Sequence, residues 1–106
     1  MVAVHEPAFG LAAQGAATEA IRAFARLFSA ICRVPSVQRV LLSSGDGALD
    51  LWVLLRAEAP EDEERLYLLE RDYRQAVGAF PPELHVLALG EIAPRNLPTG
   101  DVLFER

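Results

Sequence analysis

The segment from Val37 to Arg56 constrains the fold of this chain more than any other. Val37 to Ser43 and Leu49 to Arg56 are two runs rich in aliphatic residues, and Ser44–Gly45–Asp46–Gly47 stands between them. An Asp–Gly pair tolerates the positive φ angles of a tight turn, so the two runs are predicted to close into a β-hairpin. In the second run Leu49, Leu51, Val53 and Leu55 point one way, while Asp50, Trp52, Leu54 and Arg56 point the other. The first set is the predicted core face.

Helical periodicity flanks the hairpin on both sides. Before it, Ile21, Phe24, Leu27, Phe28 and Ile31 recur at steps of three and four, predicting a helix from Ala16 or Thr18 to Arg33 with that face buried. Glu19, Arg22, Arg26, Ser29 and Arg33 fall on the opposite face and read as solvated. Thr18 is placed to cap this helix, and Pro35 to stop it, because the residue before a proline is pushed out of the α region. After the hairpin, Pro60 suits a first helical turn. Glu61, Asp62, Glu63 and Glu64 put negative charge at the positive end of the helix dipole, which makes this acidic run a helix start rather than a metal site. Leu66, Leu69, Tyr73 and Val77 form the buried stripe, and Gly78 ends it. Leu84 to Leu89 then reads as a strand that is apolar on both faces apart from His85, the pattern of a central or covered strand. Val102 to Phe104 reads as a short edge strand. Residues 1–15 hold a candidate strand, Val2 to His5, and a Gly/Ala-rich stretch, Phe9 to Gly15, expected to be irregular.

This order gives one α+β domain over residues 1–106, a small mixed or antiparallel sheet with two helices on one face (αββαβ). Two helices cannot cover both faces of a sheet whose strands are apolar on both sides. Trp52, Leu54, His85 and Leu87 are therefore expected to stay partly open on the far face. An apolar patch of that kind marks an interface, so the expectation is a homodimer, or a complex with a protein partner, through the open sheet face.

Composition removes many functions. At 106 residues with 52% apolar and 24% charged side chains, the chain has the length and balance of a globular domain. Its longest apolar run, Leu51 to Leu55, is too short to cross a bilayer. Met1–Val2–Ala3–Val4, followed by His5–Glu6–Pro7, lacks the basic start and long apolar stretch of a signal peptide, which gives a cytoplasmic protein as the expectation. All ten basic residues are arginine, so Schiff-base catalysis, a phosphate-loop lysine and a Ser–Lys dyad are excluded. The net charge of −5 argues against nucleic acid, whose phosphates need a local positive excess. Cys32 is the single cysteine, which rules out an intramolecular disulfide and reads as a small packed side chain beside Ile31.

No set of catalytic residues is complete. His5 stands alone, and His85, alternating with apolar strand residues, reads as a hydrogen-bonded structural histidine. The Cys/His spacing of a structural zinc site, the Gly-x-Ser-x-Gly elbow and the dinucleotide glycine fingerprint are all missing. A two-metal phosphoryl-transfer site needs convergent carboxylates. Asp46 and Asp50 flank the turn, but the Gly47 turn separates them, leaving a turn aspartate and one charge on the strand. No cofactor and no bound metal are expected.

Val40–Leu41–Leu42–Ser43–Ser44 followed by Asp50–Leu51–Trp52–Val53–Leu54 resembles the minimal nucleotidyltransferases, in which one strand ends in Leu-Phe-Gly-Ser and the next carries Asp-x-Asp-Leu. The resemblance runs from about Ala16 to the C-terminus in element order and includes a closing segment like Asp101–Val102–Leu103–Phe104–Glu105. Departures from the family pattern are many. Ser43 stands where the family has glycine, Ala48 replaces the first aspartate, His85 falls near the third carboxylate, and the phosphate-cradling loop is cut to about five residues. Ser44 and Asp50 are the remnants. The resemblance therefore implies a degenerate, non-catalytic member, such as the protein-binding half of a toxin–antitoxin-like pair; an active magnesium-dependent enzyme would have to use Asp50 with Asp46. With a first strand at Val2 to His5 the order becomes βαββαβ, which is similar to the small ferredoxin-like regulatory domains that bind small molecules or dimerise through their sheets.

Overall fold

Two positive φ angles, 52° at Asp46 and 80° at Gly47, turn the chain between its first two strands. They are the angles a two-residue hairpin turn demands, and Asp and Gly are residues that supply them at low steric cost. A computed structural model describes residues 5–106, so the candidate strand at Val2 to His5 lies outside the described residues except for His5, which begins a helix. The elements are α1 (His5–Cys32), β1 (Val37–Gly45), β2 (Ala48–Leu55), α2 (Pro60–Val77), β3 (Glu83–Ala88) and β4 (Asp101–Glu105), with single 3-10 turns at Leu89–Glu91 and Pro94–Asn96. This is an α+β domain with a four-stranded sheet in the order β3-β2-β1-β4. β1 pairs antiparallel with β2 and with β4, while β2 and β3 run parallel, joined by α2. No helix among the described residues is long and apolar enough to cross a membrane.

The hairpin register puts Val40 beside Val53 and Leu42 beside Leu51, and the parallel register adds Leu84 and Val86 to the same face. Both helices pack there. Ala23, Leu27 and Ile31 of α1 and Leu66 and Tyr73 of α2 share one buried cluster with Val40, Leu51, Val53, Leu55 and Leu84. The predicted stripe of α2 is confirmed, with Leu69 and Val77 at its margin. That of α1 is shifted. Its buried face is Ala20, Ala23, Leu27 and Ile31, and Ile21 is 69% exposed. Alanine's small side chain lets α1 lie close to its neighbours, so the inward face is set by space rather than by hydrophobic bulk.

α1 also begins far ahead of Ala16 or Thr18. It covers Phe9 to Gly15, expected to be irregular, and places Thr18 inside the helix. Leu11, Ala12, Ala13, Gln14, Ala16 and Ala17 are strong helix formers, and together they outweigh the helix cost of Gly10 and Gly15. Pro7 sits in the first turn, where it breaks no internal hydrogen bond. The resulting helix has 28 residues and is about 42 Å long, and the molecule extends 60 Å along its long axis.

Of the two alternatives for β3, central or covered, the first is excluded, since β3 is an edge strand. Its apolar outer face is explained by the chain that follows. Residues 89–100 must carry the backbone from β3 at one edge to β4 at the other. Leu89, Ile92, Leu97 and Pro98 are half-buried along the way. On the face away from the helices, Leu41 and Leu54 are only 4% and 0% exposed, yet neither belongs to the helix-side cluster. Both helices pack on the other face, and residues 89–100 have to pass the sheet on their way from β3 to β4.

Candidate functional site

The far face of the sheet gathers the polar residues that the sequence scattered. The parallel register sets Asp50 beside Glu83, Trp52 beside His85 and Leu54 beside Leu87. Across the hairpin, Ser43 faces Asp50 and Leu41 faces Trp52. Alternation along the strands then brings Ser43, Asp50, Trp52, Glu83 and His85 to one patch at the turn end of β2.

Within that patch His85 Nε2 lies 2.8 Å from Asp50 Oδ1, a hydrogen bond between half-buried side chains. The imidazole stacks on the indole of Trp52, with ring centroids 4.3 Å apart and planes inclined by 21°. Trp52 is held in turn, its Nε1–H donating to Ser43 Oγ at 3.0 Å. Glu83 completes the group from the exposed end of β3, and one ligand atom each from Asp50, Glu83 and His85 lies within 4.8 Å of the others.

The sequence-predicted residues fare differently here. Asp50, Trp52 and His85 are brought together, and His85 is hydrogen-bonded as expected of it. Leu87 joins them half-buried, but Leu54 has no accessible surface and cannot be offered to a partner. Ser44 and Asp50 do not converge. Ser44 pairs with Leu49 on the helix-side face, and it is Ser43 that neighbours Asp50. Asp46 stays in the exposed turn. Glu83 went unnoticed because its partner Asp50 is 33 positions away, and only the parallel register joins them.

No protein-family model, curated protein or solved structure matches this chain. Its residues must therefore speak for themselves.

A second surface lies on the helix side, where the hairpin tip, α1 and the segment after α2 meet. Ala17, Ile21 and Phe24 of α1, Leu42 and Leu49 of the hairpin, and Phe80 to Pro82 line a groove of about 380 Å³ that is almost wholly apolar. Its rim exposes Ile21 at 69%, Phe80 at 50% and Leu49 at 38%. The rim segment is held in place. Arg74 donates to the carbonyls of Phe80 and Pro82 at 2.6 and 2.8 Å, and the Tyr73 hydroxyl donates to that of Pro81 at 2.7 Å. Glu70 accepts from the Leu84 amide at 3.0 Å, so α2 fixes both the rim and the start of β3. Burial pushes the Cys32 thiol above its ordinary range, and the Arg106 guanidinium offsets this in part.

Proposed function

We propose that the chain is a non-catalytic interaction domain that works as a homodimer, with its contact surface on α1 and the mouth of the apolar groove. The observation that carries this is the exposure of Ile21, Leu49 and Phe80 around one groove. Three large apolar side chains left in water around a concave apolar surface are costly unless something covers them.

A second copy is the occupant the chain itself supplies. Between His5 and Glu19, α1 carries Phe9, Leu11 and five alanines, with Glu6 and Glu19 as its only carboxylates and no arginine. A helix so poor in charge favours burial against a partner. Its alanines and glycines permit close approach of a second helix. A stable interface takes about 800 Å² from each partner, within reach of a helix about 42 Å long lying beside a groove. The earlier expectation of contact through the sheet face keeps Trp52, His85 and Leu87 as secondary contacts, because Leu54 has no accessible surface there.

A degenerate nucleotidyltransferase-like domain is a second reading. The element order αββαβ, with an antiparallel hairpin and a parallel third strand, supports it, as does the pairing of Asp50 with Glu83. The ferredoxin-like arrangement has less support, since its split βαβ units keep a strand between the two that a helix joins, whereas β2 and β3 are neighbours.

Light scattering on the full chain at micromolar concentration tests the dimer. The expected mass is twice 11.6 kDa, falling to the monomer value in the double variant Ile21→Asp, Phe80→Ser with an unchanged circular dichroism spectrum. A monomeric wild-type chain would sink the proposal.

A further inference from the structure

We infer that Asp50, Glu83 and His85 form a binding site for one divalent first-row transition cation, with Zn²⁺ the simplest occupant. One ligand atom from each lies within 4.8 Å of the other two, a spacing at which small rotations let all three reach a single ion. Asp50 comes from β2, and Glu83 and His85 from β3, so the set rests on two hydrogen-bonded strands rather than on a loop. The imidazole decides the class of ion. Mg²⁺ and Ca²⁺ are bound through oxygen, whereas an imidazole nitrogen beside carboxylates suits zinc and its neighbours. Three protein ligands leave at least one coordination position for water.

The imidazole is oriented from outside the ligand set, which separates this arrangement from a chance meeting of acidic groups. Trp52 stacks on the ring at 4.3 Å, and Ser43 Oγ accepts from Trp52 Nε1 at 3.0 Å, so two residues that are not ligands fix the plane in which Nε2 points at the carboxylates. Fixing the ring orientation from outside the ligand set is what the neighbours of metal-binding histidines do, and here stacking on Trp52 does it. Without an ion, the Nε2–H donates to Asp50 Oδ1 across 2.8 Å. A cation takes that proton's place. The proton leaves Nε2 for Nδ1 or for solvent, and the nitrogen lone pair and the carboxylate oxygen both turn to the metal. Asp50 and His85 are about a third exposed and Glu83 is at the surface, so an ion enters directly from solvent.

Trp52, the only tryptophan, provides a local readout. The full chain is titrated with Zn²⁺ by calorimetry, and with Co²⁺ while Trp52 fluorescence is followed. One equivalent of Zn²⁺ is expected to bind, and Co²⁺ to quench Trp52 saturably, while Mg²⁺ leaves the emission unchanged. Asp50→Asn, His85→Gln and the surface variant Glu83→Gln should each weaken Zn²⁺ binding at least about tenfold, and His5→Gln should not. Circular dichroism checks that each variant folds, and Glu83→Gln, being exposed, keeps the test open if the others do not. Absence of a saturable Zn²⁺ or Co²⁺ response would overturn the assignment. So would Zn²⁺ affinity that survives Glu83→Gln and His85→Gln, or that is lost in His5→Gln.

Discussion

Gly100 enters β4 with its α-carbon against β1, and a β-carbon built there would lie 2.5 Å from the carbonyl oxygen of Leu42 and 2.9 Å from its carbon. The obstructing atoms are backbone in a strand paired on both sides, so they cannot yield as the tip of a side chain would. Gly100→Ala should therefore push β4 off β1 and cost about 1–3 kcal/mol, the range for forcing an extra carbon into a filled space. A lowered urea midpoint checks this, and an unchanged midpoint would mean that β4 docks less closely. The same scale governs α1. Ala20 and Ala23 are buried while Ile21 is exposed, because the side chain that fits under a neighbouring helix is the small one. At the other end of α1, Arg106 donates to the carbonyls of Cys32 and Pro35 at 2.6 and 3.0 Å, so the last residue caps the first helix.

α2 is tied to the hairpin by one carboxylate. Asp62 Oδ2 accepts from both the backbone amide and the hydroxyl of Ser36, in the turn that leads into β1. It also sits in the first turn of α2, where a negative charge is stabilised by the positive end of the helix dipole. Asp62→Ala removes both roles from a side chain that is 17% exposed. The expected loss is about 1.5–3 kcal/mol, the usual range for hydrogen bonds to a charged group, seen as a lower urea midpoint at unchanged m-value; a loss under 0.5 kcal/mol (about the scatter of a neutral surface change) would show the tie to be idle. The elements themselves were legible wherever a local signal existed: Asp46–Gly47 for the turn, Pro60 and the acidic run for the start of α2, Leu66 and Tyr73 for its buried face. The start of α1 was not, because its Gly/Ala-rich stretch combines residues with opposite helix preferences. Of the candidate site, Asp50, Trp52 and His85 could be picked out one at a time. Their convergence with Glu83 could not, since it depends on the register of two strands joined only through α2.

At the scale of the whole molecule, the sheet has two faces to seal, and the two α-helices of the described residues both lie on one side. Residues 89–100 cross from β3 to β4, and Leu41 and Leu54 are buried on the face away from the helices, so the crossing segment is the candidate cover. The far face is thus divided, with a buried apolar part around Leu41 and Leu54 and a polar part around Asp50, Glu83 and His85 left open at the turn end. Ile92 and Leu97, both half-buried, are the apolar side chains best placed to act as the lid. Replacing both with serine should remove about half of the 1.5–3 kcal/mol that each fully buried aliphatic side chain contributes, a loss of about 1.5–3 kcal/mol for the pair. The same change should admit water over Leu54 and the adjacent ring of Trp52, which shifts tryptophan emission to longer wavelength in the still-folded protein. Lost stability with unshifted emission would place the crossing segment away from Trp52. If neither changes, Leu41 and Leu54 are covered by something other than residues 89–100.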